Sequence, residues 1–108
     1  MRLDLSAGDV LPTIVRAAAG DAASLELVIA HDHDPVTIAV ARAMLAPLAV
    51  ELAPATRVNA VLVLPGAAAA GVAAAAAFLA GATSTTGQWI EISPWPSPAD
   101  ARTGQASR

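Results

Sequence analysis

His31-Asp32-His33-Asp34 is the densest run of ionisable side chains in a sequence of 108 residues. Two imidazoles and two carboxylates within one turn could bind a divalent metal, with His31 and His33 as its nitrogen ligands, or act as an acid and a base. Neighbours on a single turn converge on one metal only with help from further ligands. Asp34 also has a competing use, because an aspartate directly before Pro35 is free to cap the first amides of a helix. The plainer reading of the run is therefore a solvated turn that ends in a helix cap, and the sequence favours it. Other chemistry is scarce. The chain has no cysteine, so thiolate zinc sites, disulfides and cysteine nucleophiles are excluded. It also has no tyrosine and no lysine. The serines lie in no recognisable nucleophile turn.

The elements that would position this turn alternate between helical and strand patterns. Ser6 and Asp9 resemble a capping box opening a helix toward Ala19, bent or delayed by Pro12 and stopped at Gly20. Leu25 to Ala30 is a short apolar run of the kind found in buried parallel strands, and it leads directly into the His31 to Asp34 turn. A helix is expected from Pro35 to about Leu52, kinked at Pro47 and apolar nearly all round, which implies burial on several sides. Arg57 to Leu64 reads as a second strand, Ala67 to Ala80 as an alanine-rich helix ended by Gly81, and Gln88 to Ser93 as a third strand. Alternation of this kind is α/β order, and the turn then lies beyond the carboxyl end of a strand, where open α/β sheets place ligand sites. From Pro94 the sequence Pro-Trp-Pro-Ser-Pro and its small polar continuation leave the sheet. The expected organisation is one domain over 1–93 and a flexible tail over 94–108, with Trp95 either covering a nearby apolar patch or serving as a short recognition segment.

Length, charge and hydropathy narrow the possible partners. One compact domain fits 108 residues. The net charge is −3 and the six cationic side chains are scattered arginines, which argues against a surface that tracks phosphates, so nucleic acid is not an expected partner. Hydrophobic residues make up 56% of the chain, yet many are alanine. The uncharged stretch from Val58 to Ala82 is long enough to span a bilayer. Pro65-Gly66 divides it, and its alanine-rich second part inserts weakly, so a membrane partner is not expected either. Asp4 and Asp9 fall within the first ten residues with no apolar segment behind a basic start, so no secretory signal is expected and the cytoplasm is the default location.

One stretch carries a family resemblance. Leu48-Ala49-Val50-Glu51-Leu52-Ala53-Pro54 followed by Arg57-Val58-Asn59-Ala60-Val61 resembles the end of the catalytic helix and the sixth strand of short-chain dehydrogenases. Pro65-Gly66, Ala77-Phe78-Leu79-Ala80 and Thr86-Gly87-Gln88 resemble the segments that follow, in order and at near-normal spacing. Leu5-Ser6, Gly8 and Leu27-Val28 extend the likeness over roughly residues 4 to 93. It is a likeness to the carboxyl-terminal half of that family. It implies a partial Rossmann-like three-layer unit with about three parallel strands, lacking the half that binds the dinucleotide. The glycine-rich turn that would hold the pyrophosphate has no counterpart among the seven dispersed glycines, so no cofactor is expected.

Carried over one by one, the four catalytic positions of that family all differ. Asp4 falls where the asparagine would be, Asp32 where the serine would be, Asp34 where the tyrosine would be and Ile38 where the lysine would be. Asp4, Asp32 and Asp34 are thus the candidate catalytic residues, but an aspartate replaces a lysine-assisted phenol near neutral pH only if its pKa is strongly raised. In the same family the helix matched by Pro35 to Leu52 packs against its counterpart from another subunit, which makes Val36, Val40, Met44 and Leu48 candidate interface residues. The outer edge of the strand at Leu25 to Ala30 is expected to be open and to invite another chain. The resulting expectation is a non-catalytic structural or regulatory subunit that associates with itself or with a full-length dehydrogenase-like partner. The alternatives are an oxidoreductase component active only in a complex and a ligand- or metal-binding subunit using the His31 to Asp34 cluster.

Overall fold

Near-continuous apolar runs form strands that are covered on both faces. In the computed structural model, which describes residues 1–94, the two such runs become the central strands of a sheet. The element order is β1 (Arg2–Asp4), α1 (Leu11–Ala19), β2 (Ser24–Ala30), α2 (Pro35–Leu52), β3 (Arg57–Val63), α3 (Ala69–Gly81) and β4 (Trp89–Ile92). The sheet order is β1-β2-β3-β4 and every pairing is parallel. A parallel pairing needs a crossover, and α1, α2 and α3 supply the three. The α/β, Rossmann-like reading is correct.

Side-chain alternation along the strands sets up two packed layers. Leu25, Leu27 and Ile29 of β2 and Val58, Ala60 and Leu62 of β3 form one core with Leu11 and Val15 of α1 and Ala41, Leu45 and Leu48 of α2. On the opposite face α3 packs over β2, β3 and β4 and buries Val72, Ala76 and Leu79. Arg16 and Glu51 join α1 to α2 through two contacts of 2.8 Å. The hydrogen bond from Arg16 holds the Glu51 carboxyl below its ordinary range.

The structure corrects four expectations. The sheet has four strands, because Arg2–Asp4 pairs with β2. Three residues, two of them charged, show no apolar pattern from which a strand could be read. As a consequence the edge of β2 is not open. The first helix begins at Leu11, with Pro12 in its first turn, while Ser6 and Asp9 close a separate turn in which the Ser6 N–H donates to Asp9 Oδ2 at 2.7 Å. Finally, α2 is buried along one flank only, at Ala41, Leu45, Leu48 and Ala49. The uncharged stretch from Val58 to Ala82 is divided between β3 and α3. Apart from Pro94, the tail expected over 94–108 and its Trp95 lie outside the described residues.

Candidate functional site

The His31 to Asp34 turn follows β2, at the carboxyl end of the sheet, as the sequence implies. Three of its four side chains contact backbone groups. His33 Nε2 lies 2.9 Å from Leu5 O, to which its N–H donates, and His31 Nδ1 lies 3.2 Å from Val63 O. These contacts fasten the turn to the residue after β1 and to the last residue of β3. Asp34 is the cap of α2, its Oδ1 accepting from the Val36 N–H at 2.7 Å, while Pro35 has no N–H to satisfy. Asp32 is exposed. Among the described residues, no three of His, Asp and Glu are gathered so as to hold a metal ion.

Asp34→Ala is expected to lower stability by about 1 kcal/mol, and Asp34→Asn to lose little of it, since an amide oxygen caps nearly as well. Urea unfolding of the two variants checks this. Equal losses would mean that the carboxylate does something other than capping.

Asp4 lies at the end of β1, where Arg2 Nε donates to its Oδ1 at 2.7 Å. It borders a groove of about 430 Å³ on the α3 side of the sheet, with Leu5, Val28, Ala30, Val63 and Val72 among the lining residues. None of the residues from His31 to Asp34 lines that groove. Asp4 therefore shares this groove with neither Asp32 nor Asp34. Ile38 is half-buried against the core of α1 and α2. The residues present do not fit a nicotinamide dinucleotide. The groove at the carboxyl ends of β1, β2 and β3 is lined mainly by small apolar side chains, and its one cation, Arg2, is paired with Asp4.

The strongest surface feature is on α2. Val36, Val40, Ala43, Pro47 and Val50 are all exposed. Val36 keeps 70% and Val50 77% of its surface, high values for apolar residues of this size. Their spacing alternates four and three, which on a helix of 3.6 residues per turn confines them to one strip about 80° wide. The expected interface row of Val36, Val40, Met44 and Leu48 is corrected in its second half. Each step of four advances about 40° around the helix, so a fourth member lies about 120° from the first. Leu48 accordingly sits in the core at 3% exposure, and Met44 is half-buried beside it. Val36 and Val40 remain on the surface. Ala43, Pro47 and Val50 were legible as a four-three pattern, hidden because the buried flank of α2 is apolar too. A second groove, about 310 Å³ and mostly apolar, runs between the starts of α1 and α2, bordered by Val10, Leu11, Val36 and Val40. By length and a mean hydropathy of 1.5, α2 could also cross a membrane. Here its inner flank is seated on the sheet.

The segments that carry the family resemblance fasten the fold. The Arg57 guanidinium donates to Leu79 O, Ala80 O and Ala82 O at 2.7 to 3.1 Å, capping the carboxyl end of α3. Asn59, fully buried, donates from Nδ2 to Thr85 O and accepts from the Gln88 N–H, both at 3.0 Å. Thr86 Oγ1 accepts from the Val58 N–H at 3.0 Å. Gly66 and Gly87 adopt φ values of +83° and +77°, a region that side chains disfavour. Arg57-Val58-Asn59 and Thr86-Gly87-Gln88 are thus two sides of one latch joining β3 to the start of β4. No curated protein and no solved structure matches the sequence. A family model described as SDR-like, short chain dehydrogenase-like protein, matches residues 5–92, a span that includes both sides of the latch and all of α2. With its latch, three of its four parallel strands and most of its length within that match, the chain belongs to the SDR-like family.

Proposed function

We propose that this chain is a non-catalytic SDR-like subunit, structural or regulatory, that associates with itself or with a full-length dehydrogenase-like partner through the outer strip of α2. The observation that carries this reading is the exposed apolar row of Val36, Val40, Ala43, Pro47 and Val50. A four-three apolar seam on a surface helix is the pattern by which helices pack against one another, and left in water it costs free energy. The catalytic side supports the same reading. Aspartates and an isoleucine occupy the four positions where the resemblance puts asparagine, serine, tyrosine and lysine, and neither tyrosine nor lysine occurs in the sequence. This reading takes the cytoplasm as its place of action. It includes no nucleic-acid partner, in keeping with a net charge of −3 and dispersed arginines.

The test is a Val36→Glu, Val40→Glu variant. Both positions are exposed in the single chain, and glutamate is a good helix former, so the helical circular dichroism and the unfolding midpoint should change little. Association measured by sedimentation velocity should fall at least tenfold, because two carboxylates would be desolvated at the seam. Unchanged association would rule out the α2 strip as the contact surface.

A further inference from the structure

We infer that the outer edge of β1 is a self-recognition edge, and that two copies of this chain pair there antiparallel to make one continuous sheet across a two-fold axis. The inference starts from which backbone groups β1 leaves free. The Glu26 N–H donates to Met1 O and the Leu5 N–H to Val28 O, both at 2.9 Å. In a parallel ladder the same alternate residues bond the neighbouring strand, so Met1, Leu3 and Leu5 face β2. The N–H and C=O groups of Arg2 and Asp4 therefore point away from the sheet. No strand lies beyond them among the described residues, because β1 is the first in the sheet order.

These two residues also make the edge self-complementary. Arg2 and Asp4 project to the same side of the strand, where Arg2 Nε already donates to Asp4 Oδ1 at 2.7 Å, and both side chains are solvated, at 44% and 63% exposure. A second β1 laid antiparallel and centred on Leu3 sets Arg2 opposite Asp4 of the second copy, and Asp4 opposite its Arg2. In that register the opposed residues form hydrogen-bonded pairs, each exchanging two backbone bonds, so every outward N–H and C=O is satisfied. Opposite charges stand directly across the seam on one face, which favours cross-strand pairing. On the other face Leu3, half-buried beside the α1 and α2 core, meets Leu3 of the second copy in the closer, non-hydrogen-bonded spacing. Slipping the register by one residue would lose the charge pairs, so the side chains specify the alignment as well as the partner.

A charged edge ordinarily discourages strand addition. Here the sequence Arg-Leu-Asp admits its own antiparallel copy and opposes strands of other charge pattern. A two-fold contact of this kind also closes on itself, because each β1 edge is used up by the other and neither is left to recruit a third copy. The seam is only three residues long, far below a standard interface, so the pairing is expected to be weak and concentration-dependent. It uses a surface separate from the α2 strip, and either contact can fail without the other.

The experiment is amide hydrogen exchange of the full chain by NMR across dilutions, read at Arg2 and Asp4, with sedimentation velocity alongside. Protection of these two amides should rise with concentration, whereas Leu3, bonded to β2, stays protected throughout. Arg2→Asp, which gathers four carboxylates at the seam, should abolish the concentration dependence. Arg2→Asp combined with Asp4→Arg restores complementarity with reversed sign and should recover it, which also guards against simple misfolding of β1. Free exchange of both amides at every concentration would overturn the inference. So would protection that appears only when another protein is added, or a charge swap that fails as the single variant does.

Discussion

Asn59→Ala is expected to lower the free energy of unfolding by about 2–4 kcal/mol, although the residue lies far from any candidate catalytic carboxylate. Asn59 is fully buried and both ends of its amide are used, one toward Thr85 O and the other toward the Gln88 N–H. Truncation leaves a donor and an acceptor without partners and opens a small void beside them. It also frees the turn that aligns β4, since the Gly87 N–H donates to Val58 O at 2.7 Å within the same latch. Asn59→Asp should be no milder, because a carboxylate can still accept from Gln88 but sets an oxygen against the Thr85 carbonyl. Urea unfolding followed by circular dichroism measures both. If the loss stays below about 0.5 kcal/mol, the magnitude of an ordinary surface substitution, the latch does not hold the sheet.

Leu45→Ala is expected to cost about 2–5 kcal/mol, the range for a fully buried leucine whose cavity collapses only in part. Leu45 is 2% exposed and stands in the cluster that joins α2 to Leu27, Ile29 and Val58. The informative comparison is Val50→Ala on the same helix. Val50 is 77% exposed, and its truncation should change the stability of the single chain by less than about 0.5 kcal/mol. Thermal or urea unfolding at a concentration low enough to suppress association separates the two flanks of α2. Similar losses at both positions would mean that the outer strip is already buried in the isolated chain.

Much of this fold could be read from its residues. The bounds of α2 follow from Asp34-Pro35 at one end and the break after Leu52 at the other, and the central strands follow from unbroken apolar runs. The elements that escaped were those without a pattern. β1 is a strand because β2 offers it a ladder, and two charged residues out of three conceal it. The α2 strip was obscured by excess of signal, since a helix apolar on both flanks does not show which flank a neighbour covers. Chemistry was the least legible level. The His31 to Asp34 run looks like a site by composition, but its histidines bind backbone carbonyls and its last aspartate caps a helix. The latch residues drew attention through family likeness, and their work is to close the sheet.

What the likeness covers is therefore the joining of β3, α3 and β4 and the long helix, while the positions where the resemblance puts catalytic groups hold other residues. Association in place of catalysis is the central claim, and the mass of the native particle tests it most directly. The wild-type chain, isolated gently from its own cells through a small carboxyl-terminal tag and measured by native mass spectrometry, should appear as a particle at least twice the 10.7 kDa of one chain, or bound to a larger dehydrogenase-like protein. A single folded species at 10.7 kDa, free of any partner across the accessible concentrations, would contradict it.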